Sequence, residues 1–240
     1  MRAFLNMRYS PPERVEKFKK GLMAVGYECK EGLTSNPRKN DLFVTWNRIG
    51  HADQIANTFQ ARGCQVIVAE NGSWGKSFAE KSWLTLALRY HNSQGCFPIG
   101  GNERFDQLNV NLQPFRTQGE TVILAQRGIG SQPTAMPRSW PDDARKRYKC
   151  RIRKHPGKNA KNVISLEDDL KDCGLVVTWG SGAAIAALTM GIPVVSEMKN
   201  WIGEQDNTVE GRLKMFRQMA WAQWTLDEIE KGDPFKWLLR

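Results

Sequence analysis

The stretch Cys173–Glu197, CGLVVTWGSGAAIAALTMGIPVVSE, contains two apolar runs separated by a glycine turn and a segment of small residues. The first run is Leu175–Val177, the turn is Gly180–Gly182, and the second run is Val194–Val195. Short apolar runs bounded by glycine or proline are typical of buried strands, and the small residues of Ala183–Met190 fit a short helix between them. The stretch therefore predicts a compact β-α-β unit.

The turn at Gly180–Gly182 is a candidate ligand site. A helix that begins directly after such a turn directs unpaired backbone N–H groups and the positive end of its dipole outward, and both favour a phosphate group. Glycines that only allow close packing of the crossover are the alternative explanation. This segment by itself leaves both hypotheses open.

Length and composition exclude several classes of protein. The 240 residues are 40% hydrophobic and include nine tryptophans, which is enough for a sizeable core. The chain has no run of about eighteen apolar residues, and its charged N-terminal stretch lacks the apolar segment of a signal peptide, so we expect no membrane partner. Five scattered cysteines without a Cys-x-x-Cys pair favour a reduced, cytoplasmic protein without a disulfide framework or zinc site.

The charge is strongly basic. Lys and Arg total 35 against 25 acidic residues, which gives a formal net charge of +10. Much of the excess lies in one stretch, at Arg145, Lys146, Arg147, Lys149, Arg151, Arg153, Lys154, Lys158 and Lys161. A basic field of this kind favours nucleic acid or phosphorylated ligands, and an ordinary basic surface is the alternative.

Strands and helices alternate along both halves of the chain. The first half has strand patterns at residues 1–7, 41–46 and 64–69 and helix patterns at residues 11–25 and 51–62; the second has strand patterns at residues 120–126 and 149–153 and a helix at residues 142–148. This alternation predicts parallel α/β sheets. Residues 95–119 lack periodicity and predict a crossing between the halves, and residues 208–239 predict C-terminal helices. We therefore expect one domain at residues 1–115 and a second, including those helices, at residues 116–240.

Ligands of open α/β sheets bind beyond the carboxyl ends of the strands. Five turns follow predicted strands in this way: Asn47–His51, Glu70–Gly72, Arg127–Ser131, Lys154–Gly157 and Gly180–Ala183. Their glycines and cationic side chains, gathered near one helix start, predict a diphosphate site.

The second half resembles a known family of enzymes. The string RIRKHPG, Arg151–Gly157, and the stretch Ser165–Val195 are similar to the C-terminal half of GT-B glycosyltransferases, in the branch that includes capsule-polysaccharide and phage-encoded enzymes. The turn Glu70–Gly72 and the closing segment FRQMAWAQWTLDEI resemble the phage-encoded members. The resemblance covers residues 121–237 well and the first half more loosely.

The resemblance implies two Rossmann-like α/β domains that face each other across a cleft, with a C-terminal helix. It also implies transfer of a sugar from a nucleotide-sugar such as UDP-glucose, with no further cofactor. The residues that would bind this donor are Arg127, Gly130, Ser131, Arg153, His155, Gly180, Ser181, Gly182, Ala183 and Glu197. Because no Asp-x-Asp triplet is present, and Asp142-Asp143 and Glu167–Asp169 have the wrong spacing, we expect a metal-independent enzyme in which cationic groups stabilise the leaving diphosphate.

The acceptor side requires a general base that takes a proton from a hydroxyl group. Glu70 is the first candidate because it ends a strand beside the expected cleft, and His51 and Asp53 are the alternatives. Asp53 could instead support its own helix, and His51 could be an exposed first-turn residue.

The expected acceptor is a hydroxymethylated pyrimidine in double-stranded phage DNA, which would be extruded from the stack, in the host cytoplasm. The residues expected to contact it are Arg48, Asn71, Trp74 and Arg104. A capsule or other glycan acceptor, a non-catalytic nucleic-acid-binding protein on a GT-B-like fold, and an epimerase-like enzyme are the alternatives.

Overall fold

The structure is a computed structural model that describes residues 1–8, 10–30, 32–75, 78–90, 96–128, 134–157 and 164–240. Its strands are β1 (Arg2–Asn6), β2 (Glu28–Lys30), β3 (Leu42–Trp46), β4 (Gln65–Asn71), β5 (Leu84–Leu88), β6 (Glu120–Ala125), β7 (Arg151–Lys154), β8 (Cys173–Thr178), β9 (Val194–Ser196) and β10 (Gln223–Trp224). Its α-helices are α1 (Pro12–Ala24), α2 (His51–Ala61), α3 (Glu103–Asp106), α4 (Trp140–Tyr148), α5 (Leu166–Asp169), α6 (Ala183–Thr189), α7 (Val209–Met219), α8 (Leu226–Lys231) and α9 (Asp233–Leu238).

The first sheet has the strand order β10-β5-β4-β3-β1-β2. Strands β2, β1, β3 and β4 are parallel, as the sequence predicts, whereas β5 runs antiparallel to β4, and β10 runs antiparallel to β5. The prediction of a wholly parallel sheet is therefore wrong at this edge. Strand β5 follows β4 without a crossover helix long enough to return the chain to the start of the sheet, so the chain turns back antiparallel.

The second sheet has the order β7-β6-β8-β9 and is parallel throughout. The unit β8-α6-β9 confirms the strand, turn, helix and strand predicted for Cys173–Glu197. Val176 of β8 pairs with Val194 of β9, and both are buried. The chain as a whole is thus an α/β protein with two largely parallel sheets.

Both faces of the first sheet are covered by helices. Phe59 of α2 packs against Phe4 and Phe43 on one face, and Phe18 and Leu22 of α1 pack on the other. Burial on both faces explains why β3 and β4 consist of nearly continuous apolar residues rather than alternating ones.

The C-terminal segment returns to the first sheet, although the sequence assigns it to the second half. Strand β10 pairs with β5, and Phe235 of α9 meets Phe18 of α1 edge to face with their ring centres 5.9 Å apart. Lys17 of α1 forms an ion pair with Asp227 of α8 at 2.7 Å. The predicted boundary at residues 115 and 116 thus misplaces this segment, because its apolar side chains are buried against α1.

In the described parts of the chain, no helix combines the length and the apolar character needed to cross a lipid bilayer.

Candidate functional site

A cavity of about 260 Å³ lies at the carboxyl ends of three strands of the second sheet. Its lining includes Ala125 at the end of β6, Arg153 and His155 at the end of β7, and Ser181 and Ala183 after β8. Four residues predicted from sequence to bind a diphosphate therefore line one cavity. They meet because parallel strands end at the same edge of a sheet.

Two backbone N–H groups in the glycine turn after β8 already donate hydrogen bonds to nearby side chains. The Ser181 N–H donates to Thr178 Oγ1 at 3.0 Å, and the Ala183 N–H donates to Ser181 Oγ at 3.2 Å. These two N–H groups were predicted to be open to a phosphate, and that prediction is wrong for them. A Cβ atom on Gly180 would lie 2.8 Å from Met198 Cε, so a larger residue there would require the end of the Met198 side chain to shift. Gly182, by contrast, is exposed.

His155 is a polar side chain of the cavity that can bind an anionic ligand. Its Nδ1 accepts a hydrogen bond from the Gly157 N–H at 3.0 Å, so the proton of the neutral ring lies on Nε2. Partial burial and the positive charge of Arg127 lower the pKa of His155 below its ordinary value. An imidazole N–H and the exposed Arg127 guanidinium are therefore available near the same strand ends.

Arg153 lines the cavity, but its charge is balanced within the protein. Its Nη1 binds Asp169 Oδ2 at 2.6 Å, and its Nη2 donates to the carbonyl oxygen of Ile164 at 3.1 Å. Asp169 also accepts from Arg151 Nη1 at 2.9 Å. The prediction that Arg153 neutralises a diphosphate is therefore not supported by its geometry, because the guanidinium holds α5 in position.

Glu197 and Gln126 each present one unpaired acceptor at the same edge. Glu197 Oε2 accepts from Trp140 Nε1 and from Arg147 Nη2, both at 2.8 Å, whereas Oε1 is buried without a hydrogen-bond partner in the described residues. Gln126 Nε2 donates to the Gly180 carbonyl at 3.1 Å, and its Oε1 is likewise buried and unpaired. A buried acceptor without a hydrogen bond lowers the stability of the fold unless a ligand or a water molecule supplies a donor. Sequence reasoning missed Gln126, whose signal is its position as the first polar residue after β6.

Glu70 lies on the side of the first sheet that approaches this site. It is half-buried next to the exposed Asn71 at the end of β4. The following turn continues to Ser73, whose carbonyl oxygen would lie 3.9 Å from a Cβ atom built on Gly182. The turn after β4 and the turn after β8, which are far apart in the sequence, are therefore in contact range.

Arg48 and Asp53 form an internal network rather than an open surface. Arg48 is 2% exposed; its Nε binds Asp53 Oδ1 and its Nη2 binds Asn57 Oδ1, both at 2.6 Å, while Nη1 donates to the Arg89 carbonyl. The prediction that Arg48 contacts an acceptor is wrong, because its guanidinium is enclosed. Asp53 has the helix-supporting role given above as its alternative, and His51 is an exposed first-turn residue of α2.

Trp74 was predicted to contact DNA, but it is a core residue. It is 4% exposed, stacks on Phe78 with ring centres 4.6 Å apart, and meets Trp83 edge to face at 4.9 Å. The prediction is wrong because these aromatic rings cover both the face and the edge of the indole.

Arg104 was also predicted to contact DNA, and it instead secures the C-terminal segment. Its Nε and Nη2 donate to the carbonyl oxygens of Ala220 and Gln223 at 2.8 and 2.6 Å, and its Nη1 binds Glu228 at 2.7 Å. The guanidinium also lies 3.8 Å from the ring centre of Trp224. With three nitrogens and one face engaged, this side chain is not available to a phosphate.

Several predicted residues lie outside the described part of the chain. They are Gly130 and Ser131 of the predicted donor site and Lys158 and Lys161 of the basic stretch.

Comparison with known proteins does not identify a family. No family model matches the chain, and no curated protein matches it. Aspartate transcarbamoylase from Trypanosoma cruzi in complex with phosphate is 12% identical, with 91% of this chain and 80% of that chain covered and a TM-score of 0.28. A putative aspartate carbamoyltransferase from Leishmania major Friedlin is 13% identical, with 91% and 81% covered and a TM-score of 0.29. NAD⁺-bound 3-phosphoglycerate dehydrogenase from Entamoeba histolytica is 9% identical, with 74% and 62% covered and a TM-score of 0.23. Similarity at this level carries no conclusion about activity.

Proposed function

We propose that this chain is a metal-independent, GT-B-like glycosyltransferase that moves a sugar from a nucleotide-sugar, such as UDP-glucose, to the hydroxyl of a hydroxymethylated pyrimidine in DNA. The observation that carries the proposal is the approach of the turn after β4 to the turn after β8, in which the Ser73 carbonyl oxygen lies 3.9 Å from the Cβ position of Gly182. A candidate base on one sheet and a candidate donor site on the other thereby come together, as transfer between two bound substrates requires.

The donor fits the second sheet. Its diphosphate would lie in the cavity with the Nε2–H of His155 and the guanidinium of Arg127 as donors. Glu197 Oε1 and Gln126 Oε1 are buried and have no partner in the described part of the chain, and as acceptors they would suit ribose hydroxyl groups, which donate hydrogen bonds.

The proposed reaction uses Glu70 as the general base. Its carboxylate takes the proton from the acceptor hydroxyl as the hydroxyl oxygen forms a bond to the anomeric carbon of the sugar. The bond between that carbon and the diphosphate oxygen breaks, and the nucleoside diphosphate leaves with the electron pair. Arg127 and His155 stabilise the negative charge that develops on the leaving group.

The proposal is tested with the intact protein, a panel of nucleotide-sugars, and DNA with or without hydroxymethylated pyrimidines. Mass spectrometry of the digested DNA should detect a base that has gained one sugar only in the modified DNA. Transfer to an oligosaccharide instead would favour the glycan alternative. An intact nucleotide-sugar with every acceptor would contradict the proposal.

The role of Glu70 is tested by Glu70→Gln, with the exposed Glu204→Gln as the matched control. Removal of a general base should lower the transfer rate by about 10² to 10⁴ and leave the affinity for UDP unchanged. Glu204→Gln should retain full activity. Wild-type rates in Glu70→Gln would refute the assignment of the base.

A further inference from the structure

The first sheet has a cavity of its own, of about 500 Å³, between the ends of β1 and β3. The chain leaves β1 through α1 toward β2 and leaves β3 through α2 toward β4, on opposite sides of this strand pair. Adjacent parallel strands whose connections diverge in this way leave a crevice at their carboxyl ends, and ligands of α/β sheets bind there.

The walls of this cavity are mainly apolar. Leu5 and Met7 lie at its β1 side, and Leu33 and Ile49 line it while remaining 38% and 44% exposed. An apolar or aromatic group that enters this cavity would remove these side chains from water, which favours binding.

Trp46 supplies an aromatic surface that is held in place. The Arg14 guanidinium lies 4.2 Å from the ring centre of Trp46, and Arg14 Nε is buried without a hydrogen-bond partner in the described residues. The Arg14 guanidinium thus covers part of the Trp46 indole, and its buried Nε loses its hydrogen bond to water. An indole fixed in this way loses little conformational freedom when a flat ring stacks on it.

Two asparagine side chains add polar groups to the same cavity. Thr45 Oγ1 is buried; it accepts from Asn6 Nδ2 at 3.2 Å and donates to the Asn47 carbonyl at 2.9 Å. This bridge fixes Asn6 by its nitrogen, so its Oδ1, which has no partner in the described residues, can accept from a ligand. Asn47 has a φ of 60°, in the left-handed region, at the point where the chain leaves β3.

We propose that this cavity binds a single pyrimidine base, stacked on Trp46 with its polar edge bonded to Asn6 and Asn47. Carboxamides offer both the donor and the acceptor that the edge of a base requires, and the face of Trp46 offers a stacking surface to a flat ring. The choice of a pyrimidine rests on the proposed function, and the stacking and amide contacts rest on the cavity itself.

The test is calorimetric titration of the intact protein with 5-hydroxymethyl-2′-deoxycytidine 5′-monophosphate, with 2-deoxyribose 5-phosphate, and with maltose. The nucleotide should bind at least tenfold more tightly than the base-free phosphate, because stacking contributes only when a base is present. Stronger binding of maltose, or equal binding of the two phosphates, would overturn the proposal.

Two variants locate the binding. Trp46→Leu should weaken nucleotide binding about tenfold through loss of stacking. Asn47→Gly removes the amide but keeps a residue that adopts positive φ, and it should also weaken binding several-fold. Asn200→Gly, at an exposed position with a φ of 57°, is the matched control and should bind as the wild type does. Unchanged binding in folded Asn47→Gly and Trp46→Leu would refute the assignment, whereas base binding without sugar transfer would refute only the proposed function.

Discussion

Among the described residues, His155 and Glu197 each have one polar atom that is hydrogen-bonded within the protein and one that has no partner. Gly157 fixes Nδ1 of His155, while Trp140 and Arg147 fix Oε2 of Glu197. The remaining atoms, an imidazole N–H and a carboxylate oxygen, are of opposite hydrogen-bonding character. Such a site suits a ligand with an anionic part and a hydroxyl-bearing part, which is the chemistry of a nucleoside diphosphate.

Binding of UDP should raise the pKa of His155. In the free protein, burial and Arg127 hold this pKa below its ordinary value, whereas a bound diphosphate favours the protonated ring. By linkage, UDP should bind more tightly as the pH falls from the raised pKa of the complex to the lower pKa of the free protein, and the gain should level off below the latter. Nuclear magnetic resonance titration of the imidazole signals measures the shift, with His155→Gln to assign the signal. An identical titration with and without UDP would contradict the position of the diphosphate.

At the scale of elements, the packing of the unit β8-α6-β9 depends on a close backbone contact just after α6. Gly191 follows α6 with a φ of 72°, and a Cβ atom there would lie 2.0 Å from the Pro114 carbonyl oxygen. The segment that crosses between the two sheets thus passes directly over the end of α6. The glycine serves two purposes at once, since it adopts the left-handed conformation and leaves room for a neighbouring backbone.

Gly191→Ala should therefore destabilise the protein more than a positive φ alone explains. Gly63→Ala is the matched control, because its φ is 71° and no atom of the described residues lies within 4 Å of its Cβ position. The control should cost about 1 to 2 kcal/mol of unfolding free energy from backbone strain. Gly191→Ala should cost roughly 1 to 3 kcal/mol more, because the overlap forces the backbone to move. Urea unfolding measures both, and equal losses would show that the close approach is not needed.

At the scale of the whole molecule, the first strand, β1, and the last strand, β10, lie in the same sheet. Segments from both termini share one apolar cluster, in which Phe18 of α1 meets Phe235 of α9. Arg104, in the crossing between the sheets, binds the carbonyl groups of this returning segment. The first sheet therefore depends on residues far away in sequence, which is why a division of the chain at one boundary fails.

Phe235→Ala should lower the free energy of unfolding by about 3 to 5 kcal/mol, because it leaves a cavity against α1. Val209→Ala, at a residue 63% exposed, should change it by less than about 0.5 kcal/mol. Hydrogen exchange should increase at β1 and β3 in the first variant, since the lost contact supports their sheet. Exchange that increases only in the second sheet would show that α9 belongs to that half instead.

Local pattern predicted the elements whose periodicity is set by their own residues. The unit within Cys173–Glu197 and the helices around Phe18 and Phe59 follow from the spacing of apolar side chains, and the structure has them. Strand β5 was missed because LTLAL is a short run that becomes a strand only through pairing with β4. The candidate site was predicted in outline, since strand ends of parallel sheets gather at one edge.

The sequence by itself determined the α/β class, the parallel pairing of most strands and the strand ends that carry His155, Ser181 and Glu70. Periodicity and turn chemistry act over a few residues, so they can be recognised without knowledge of the fold. Only the tertiary structure decided which polar groups remain available. It enclosed Arg48 and Arg104 in internal networks and bonded the Ser181 N–H to Thr178. It also left Glu197 Oε1 without a partner among the residues that the structure describes. Those outcomes depend on partners distant in the chain, and a charged or aromatic side chain looks the same in sequence whether it meets solvent, a ligand or its own protein.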